Sequence, residues 1–415
     1  MLSGLHAHGV GGSTDLPIPF LYAMVGASWA LTISFAVLAL AWREPRFDAE
    51  PAPEDPHPRR PWLGVLGALI AGWFLVALYS GPSGADSGAS NGGLGALYIL
   101  VWVGLVPLAL LAGHVWRDLS PWRSVQALVG RLSGRPDGFV AYPAWLGYWP
   151  AVAGLLAFVW LELASPDPGD IGAVRVWVAV YVVVTIAGGV IFGPRWHDRA
   201  DPFDVYSGVV AHLSPLVSDR RLDVHNPLRT LPQVPVEPGL VALLATLLGS
   251  TAFDSFSASS FWQSKAPSVF EQSLTLVGFC VVVAALFQLA TRSTGGVTPD
   301  ERNALPGRLA HSLVPIVVGY IFAHYLTYLV EKGQAVVYVL LSMDADVAFV
   351  LSTHTSTLAA LKVSFVVAGH VLAVVAAHDR ALIVLPRAHR LSGQMGLLLL
   401  MVTYTFTGLF LLFSV

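Results

Sequence analysis

Ten long runs of apolar residues divide the chain, and each is about long enough to cross a membrane. A helix needs about 20 apolar residues to span a hydrocarbon core of about 30 Å. The runs are continuous, whereas the strands of a membrane β-barrel alternate apolar and polar positions, so the pattern predicts helices. The sequence therefore predicts an all-α, polytopic membrane helix bundle. The expected spans are 19–42, 62–80, 95–116, 144–163, 173–193, 239–257, 268–291, 310–330, 357–378 and 395–414.

Arginine is confined almost entirely to alternate linkers between these runs. Of the 20 Arg residues, only Arg175 falls outside that set. Cytoplasmic loops are enriched in basic residues, so these linkers are predicted to be cytoplasmic and both termini extracytoplasmic. The expected location is the plasma (inner) membrane, crossed many times. The arginine-rich linkers are 43–61, 117–143, 194–238, 292–309 and 379–394. The three lysines lie on the opposite side, at Lys265, Lys332 and Lys362.

Composition supports a single integral membrane domain over residues 1–415. The chain is 55% hydrophobic and only 12% charged, with a mean hydropathy of +0.66. A soluble domain carries about 25% charged residues, so this chain has too little polar surface to face water all round. Cys280 is the only cysteine, which excludes an intrachain disulfide. No basic patch or phosphate-binding loop appears, so the lipid bilayer is the predicted partner and nucleic acid is not.

One cytoplasmic loop, 194–238, contains a predicted amphipathic helix over 201–216. Asp201 suits the N-cap and Pro202 suits the first helical position. Apolar residues repeat along one face of the segment. The expectation is a helix that lies on the inner membrane surface with this face against the lipid.

Two extracytoplasmic segments also have distinctive compositions. Residues 1–18 form an N-terminal segment that enters the first span through two prolines, Pro17 and Pro19. Residues 331–356 are mostly apolar, although they lie between two spans on the outer side. Apolar residues there need cover, which predicts a re-entrant or surface-lying segment.

The division of ten spans into five plus five is typical of secondary transporters with inverted repeats. The two halves share no clear residue pattern, so the repeat stays an open question. A third interpretation is a structural subunit of a membrane complex, in which 331–356 is an interface. Either a homo-oligomer or an assembly with partner subunits is compatible with the sequence.

Two histidines near the N-terminus, His6 and His8, are candidate metal ligands. In extended backbone, alternate residues point the same way, so both imidazoles would share a face. Two imidazoles on one face suit copper or zinc. The alternative is a polar N-terminal tail without a ligand.

His324, in the eighth span, and His370, in the ninth, are candidate site residues within the membrane. His324 lies six residues from the outer end of its span, about 9 Å deep at 1.5 Å per residue. Tyr320 and Tyr328 lie one turn away on the same face. Ionisable residues at such depth suggest function. The alternative is a neutral histidine that only hydrogen-bonds a neighbouring helix.

Asp254, at the outer end of the sixth span, supplies a carboxylate on the same side of the membrane. It could complete a His/carboxylate site with His6, His8 or His324. The alternative is a solvated helix end. A negative charge is disfavoured at the C-terminal end of a helix, which favours a specific purpose for Asp254.

Several of these residues also carry a resemblance to a known family. The chain resembles, along most of its length, a family of polytopic actinobacterial membrane proteins often labelled similar to fenitrothion hydrolase, an enzyme of organophosphate breakdown. The resemblance implies a hydrolase. The stretches that carry it are HAHGVGG at 6–12, DLPIP at 15–19, FDSF at 253–256, HYL at 324–326 and GHV at 369–371.

The leading hypothesis is an outward-facing His/Asp site that binds copper or zinc and supports hydrolytic or redox chemistry. A bound metal lowers the pKa of its water to about 7, and Asp254 would act as a ligand or as the catalytic base. The predicted metal ligands are His6, His8, Asp254, His324 and His370.

The principal alternative is a secondary transporter or channel in which the same polar residues line a path. An enzyme site should be closed toward the cytoplasm. A transporter should show a polar track that reaches the inner side, for example from His324 through His370 to His378.

Overall fold

The computed structural model describes residues 15–47, 61–82, 91–218, 221–222 and 224–413, which are helical almost throughout. The all-α prediction is confirmed. The helices are α1 (Phe20–Ala41), α2 (Pro61–Ser80), α3 (Gly92–Val103), α4 (Leu105–Ala112), α5 (Pro121–Ser133), α6 (Trp149–Leu163), α7 (Ile171–Phe192), α8 (Pro194–Ala200), α9 (Pro202–Ala211), α10 (Leu240–Ser257), α11 (Val269–Arg292), α12 (Pro299–Leu309), α13 (Val314–Thr327), α14 (Gly333–Leu340), α15 (Thr355–Val384) and α16 (Met395–Phe413).

Shorter elements connect these helices. Strands β1 (Val217–Ser218) and β2 (Arg221–Leu222) form a small antiparallel ladder. Single helical turns lie at Trp116–Leu119, Ala144–Leu146, Pro227–Arg229, Leu231–Gln233, Ser260–Gln263, Ala310–Leu313, Tyr328–Lys332, Arg387–His389 and Ser392–Gln394.

Nine helical stretches in the described part of the chain are long and apolar enough to cross a membrane. The pair α3 and α4 makes a tenth if it is counted as one span. This pair bends by 46° where the π-helical segment Ala96–Val103 ends. Irregular hydrogen bonding of this kind is a common cause of sharp kinks. The chain is therefore a multi-pass membrane protein, and the predicted third span is a broken helix.

The longest helical stretch, Pro299–Leu340, extends well beyond its predicted span. Its 42 residues run through α12, α13 and α14. At about 1.5 Å per residue they would reach about 60 Å, twice the thickness of a hydrocarbon core. A capping box of Thr298 and Glu301 starts it. The predicted span 310–330 is thus only the middle of a longer helix.

The least apolar spans lie inside the bundle. In α10, 72% of the residues in its apolar 18-residue segment are buried, and in Pro299–Leu340 the corresponding share is 67%. In the other spans at most 44% of these residues are buried. α10 and the stretch Ala144–Leu163, which contains α6, have the lowest hydropathy of the spans. Helices that face lipid must be apolar outside, so polar side chains are confined to helices covered by protein. The central helices are therefore the ones that can carry chemistry.

Some helices that are far apart in the sequence are neighbours in the structure. α1 packs against α15 and α16, so the first span lies beside the last ones. α13 and α15 cross closely at two glycines, Gly319 and Gly369. A Cβ added to Gly369 would lie 2.6 Å from the carbonyl oxygen of Pro315. Small residues at such crossings let two backbones approach.

The predicted surface helix over 201–216 is wrong in extent and in placement. Asp201 caps it as expected, by accepting hydrogen bonds from the backbone N–H groups of Phe203 and Asp204. The helix α9 ends at Ala211 and packs against α4 and α6 inside the protein. Nearly all its residues are buried, and the ring of Tyr206 contacts Trp102. Contacts between α9 and aromatic side chains of the protein therefore replace the expected contact of this helix with lipid.

A cluster of charged residues allows α9 to be buried. Arg123 contacts Asp204 through Nε at 2.5 Å and Asp198 through a second nitrogen at 2.6 Å. His114 Nε2 lies 2.8 Å from the other oxygen of Asp204. Burial by itself raises the pKa of Asp204, but attraction to Arg123 and the hydrogen bond from His114 outweigh burial and hold that pKa well below its usual range. The carboxylate thus stays ionised although it is fully buried.

The segment 331–356 begins as helix and returns as a loop. α14 packs against α3. The buried carboxylate of Glu331 accepts hydrogen bonds from the backbone N–H groups of Leu351 and Ser352 and from the Ser352 hydroxyl. These bonds hold the loop against the end of the long helix. Whether the segment re-enters the bilayer stays a prediction.

We predict that Asp204 stabilises the fold above about pH 4 and loses this effect in acid. Because the folded pKa lies below the unfolded value of about 3.9, stability falls as pH drops through that window. Asp204→Asn should cost about 3 kcal/mol at neutral pH, since it breaks a buried ion pair. Thermal unfolding between pH 7 and pH 3 would measure both effects.

The exposed carboxylate of Asp344 provides a matched control. Asp344→Asn should follow the wild-type curve at every pH. Parallel pH curves for the wild type and Asp204→Asn would contradict the assignment.

Candidate functional site

The structure brings together two of the predicted site residues, Asp254 and His324. Nε2 of His324 lies 2.9 Å from Oδ2 of Asp254. Both residues are buried, with 5% and 6% of their surfaces exposed. The alternative that Asp254 marks a solvated helix end is therefore wrong.

Helix geometry explains why these two side chains meet. Asp254 lies three residues before the end of α10, and His324 lies three residues before the end of α13. The two helices pack against each other and both run toward the side predicted to be extracytoplasmic. Three residues correspond to about 5 Å, so both side chains lie at the same depth.

Tyr325 completes the environment of the carboxylate. Its hydroxyl donates a hydrogen bond of 2.7 Å to the same Oδ2 of Asp254. An ionised carboxylate only accepts hydrogen bonds, so Nε2 of His324 is the donor and carries a proton. Tyr325 was not predicted as a site residue, because adjacent residues on a helix lie on different faces. Only the position of α10 against α13 puts both residues on one carboxylate.

Ser255 contacts the other nitrogen of the imidazole. Its Oγ lies 3.2 Å from Nδ1 of His324 and 3.3 Å from the carbonyl oxygen of Thr251. The hydroxyl of Tyr320 is a third neighbour, also at 3.2 Å, and its ring stacks on His324. The Ser255 hydrogen therefore has two acceptors of nearly equal distance.

The spacing of Ser255, His324 and Asp254 resembles that of a catalytic triad, but the surroundings of Ser255 do not suit a nucleophile. Ser255 is buried in the last turn of α10. Backbone N–H groups there already donate to carbonyl groups one turn back in the helix, so they cannot form an oxyanion hole. The site therefore lacks what a serine nucleophile requires.

A second carboxylate, Glu162, lies near the end of α6. It is partly buried, and the charge of Asp254 acts on it. Its Oε2 is buried and, among the described residues, has no hydrogen-bond partner. A buried carboxylate oxygen without a partner is costly when the group is ionised. Glu162 was not among the site residues predicted from the sequence, although the low hydropathy of its span was a usable signal.

Two irregular helical segments flank the site. The π-helical turns Ala96–Val103 and Tyr328–Lys332 contact each other beside the carboxylates. The charge of Glu162 acts on Tyr98 and on Tyr328, one from each segment. π-Helical turns are rare and occur frequently at functional sites.

His370 does not join Asp254 and His324. Its Nδ1 lies 2.8 Å from the carbonyl oxygen of Val366, in its own helix α15. The residue lines a separate cavity, which Tyr320 also lines. Tyr320 thus links the cavity to the His324 network through Ser255.

The predicted polar track does not continue along α15 to His378. The residues from 371 to 377 are all Val, Leu or Ala. His378 instead bonds Gln394 through Nδ1 and the carbonyl oxygen of Trp42 through Nε2, each at 2.9 Å. His378 therefore fastens α15 to α16 and to the end of α1.

His6 and His8 lie outside the described residues. The described chain begins at Asp15, whose charge acts on the buried Lys362 of α15. Within the described ranges, no group of three or more His, Cys, Asp or Glu side chains could hold a metal ion. The metal site therefore depends on His6 and His8 and stays a prediction.

Comparison with known proteins finds no matching family model, curated protein or solved structure. The resemblance to fenitrothion hydrolase-like proteins, and the hydrolase that it implies, stay predictions. The geometry around Asp254 is therefore the basis for a functional argument.

We predict that Tyr325 and Asp254 are energetically coupled. A hydrogen bond to a charged group contributes about 1.5–3 kcal/mol. A double-mutant cycle of Tyr325→Phe and Asp254→Asn, measured by unfolding of the purified protein, should give a coupling energy in that range. Tyr22, which is 67% exposed, serves as the control, since Tyr22→Phe should add independently to Asp254→Asn. Additive effects for Tyr325→Phe would contradict the bond.

Proposed function

We propose that this protein is a proton-translocating membrane protein of the secondary-transporter kind, located in the plasma membrane, with His324 as the group that binds the proton. One observation carries the proposal. The hydrogen bonds around His324 can be complete both before and after the imidazole takes up a proton.

When His324 is neutral, Nε2–H donates to Asp254 and the lone pair of Nδ1 can accept. The Ser255 hydroxyl then donates to Nδ1 across the 3.2 Å separation. Both nitrogens of the imidazole have a partner in this arrangement.

When His324 is protonated, Nδ1–H becomes a donor and Ser255 must accept. The Ser255 hydrogen then turns to the carbonyl oxygen of Thr251, 3.3 Å away. Only a hydroxyl rotation is needed, and no heavy atom moves. A buried polar group without a partner costs about 1–3 kcal/mol, so this switch removes a penalty that proton uptake would otherwise carry.

Charge balance links the proton to conformational change. With Asp254 ionised, His324 protonated and Glu162 neutral, the three groups have no net charge. Loss of one proton leaves a net negative charge in the bundle. Moving an unbalanced charge away from water is expensive, so the loaded form is the one that can become occluded. This difference in net charge between the protonated and deprotonated site is what couples proton binding to the conformational change of alternating access.

The surrounding helices support the same proposal. The site lies beside the bent pair α3 and α4 and between two π-helical turns. Discontinuous helices next to the coupling-ion site are characteristic of secondary transporters. The apolar stretch between His370 and His378 would close the cytoplasmic side in the conformation described.

We predict proton flux that depends on Ser255 as well as on Asp254. Full-length protein in liposomes would be driven by a potassium diffusion potential, and an enclosed pH-sensitive dye would report flux. Asp254→Asn and Ser255→Ala should each lower the flux at least about tenfold, since one hydrogen bond of about 1.4 kcal/mol corresponds to tenfold. Ser255→Thr keeps the hydroxyl and should recover flux relative to Ser255→Ala.

The exposed Asp344 again supplies a matched control, because Asp344→Asn removes a carboxylate outside the network. No flux from wild-type protein would reject proton translocation. Equal flux from Ser255→Ala and the wild type would reject the hydroxyl switch.

We also propose a second candidate function, a copper or zinc site. His324 presents Nε2 beside Oδ2 of Asp254, while its Nδ1 contacts Ser255. Metal-binding histidines are commonly held through their other nitrogen in this way. Such an ion usually has four ligands, and His6 and His8 would supply two more. The bound metal would activate water for hydrolysis or carry redox chemistry.

Metal analysis of the purified protein tests this candidate directly. We expect about one copper or zinc ion per chain in the wild type, and loss of it in His324→Ala and in the double variant His6→Ala/His8→Ala. The exposed His354 provides the control, since His354→Ala should keep the metal. A wild-type protein without stoichiometric metal would reject the site. Metal retained in the double variant would reject its N-terminal ligands.

A further inference from the structure

A cavity of about 340 Å³ lies between α11 and α16, with α10, α13 and α15 behind it. Two of its lining residues are strongly exposed at the surface of α11, Val282 at 55% and Leu286 at 39%. Both lie in the middle of a membrane-spanning helix, so this surface faces lipid. The cavity therefore opens sideways into the bilayer rather than to water.

His370 forms a polar point in this largely apolar cavity. It lies midway along α15 and is only 2% exposed. A carbonyl oxygen only accepts, so the contact with Val366 shows that Nδ1 carries the hydrogen. Nε2 of the neutral ring is then a hydrogen-bond acceptor, and among the described residues it has no partner. Buried acceptors of this kind are usually satisfied, which points to a donor from outside the chain.

Three hydroxyl groups in the cavity wall are also acceptors. Thr275 and Thr403 donate their hydrogens to carbonyl oxygens one turn back in their own helices. Tyr404 donates to the carbonyl oxygen of Val283 in α11, at 2.8 Å. Each of these hydroxyls uses its hydrogen in a bond to the backbone and retains lone pairs that can accept. Together with His370, they favour a ligand that donates a hydrogen bond.

We propose that this cavity binds a membrane-dissolved amphiphile with a hydroxyl head, an alcohol or a phenol, which enters between α11 and α16. Its hydroxyl donates to Nε2 of His370, and its apolar body fills the space between the helices. The volume falls within the range of about 300–1,000 Å³ that is usual for small-ligand sites. This binding does not depend on proton translocation.

The depth of His370 argues for a small neutral head rather than a phospholipid. Burying a charged headgroup at the middle of the bilayer is very costly, whereas a hydroxyl loses little once it is hydrogen-bonded. An acyl chain could enter the cavity, but it would leave Nε2 without a donor. A hydroxyl-headed molecule satisfies both the apolar walls and the acceptor.

A photoreactive alkylphenol with a diazirine in its tail tests the proposal on full-length protein in lipid nanodiscs. Cross-linked peptides should map to α11 and α16. Unlabelled alkylphenol should compete about tenfold better than its methyl ether, which has the same shape but no donor. His370→Leu should remove this preference, and His370→Gln, which keeps an acceptor, should restore part of it.

A pair of glycine substitutions tests the location. Gly278 lines the cavity, and a Cβ added there would meet nothing within 4 Å, as is also true of Gly72 in α2. Gly278→Leu should fill the entrance and abolish labelling, whereas Gly72→Leu should label like the wild type.

Three outcomes would overturn the proposal. They are labelling unaffected by Gly278→Leu, equal competition by the phenol and its ether in the wild type, and an unchanged preference in His370→Leu. Monodisperse elution and wild-type labelling of an unrelated lipid probe would show that each variant is folded.

Discussion

Charge inside this bundle is tolerated only where a partner balances it, and the architecture depends on that constraint. At one end, Arg123 and His114 contact the carboxylate of Asp204, which lets α9 fill the space between α4 and α6. At the other end, His324 and Tyr325 hydrogen-bond Asp254 between the two most buried spans. Both clusters join elements far apart in the sequence. Loss of either partner would leave a buried charge, so each cluster helps to specify how the helices assemble.

The cluster around Asp254 differs from the cluster around Asp204 in its capacity to change state. An arginine stays charged at any relevant pH, so the pair of Arg123 and Asp204 is fixed. A histidine can bind or release a proton, and Ser255 offers it a donor or an acceptor as required. Tyr320 contacts Ser255 and also lines the cavity that contains His370. The hydrogen-bond network of His324 and the cavity that contains His370 are therefore neighbours around one tyrosine.

Much of the fold was predictable, because lipid imposes a simple rule on sequence. The apolar runs predict the spans, and most of the helices end within a few residues of them. The position of Asp254 and His324 near the same end of their helices was also predictable from the order of the spans. The placement of α9 was not. Its apolar face was visible in the sequence, but lipid and protein interiors are equally apolar, so the pattern does not distinguish between them.

The sequence by itself determined that the chain crosses a membrane many times and that His324 and Asp254 lie toward the same end of their spans. That placement follows from counting residues along a helix, which needs no knowledge of neighbours. Only the tertiary structure decided which side chains meet. Tyr325 reaches Asp254, Glu162 lies beside it and His370 turns to a separate cavity, because helix rotation and packing set these contacts. Rotation about a helix axis is determined by close packing between side chains, and hydropathy does not encode it.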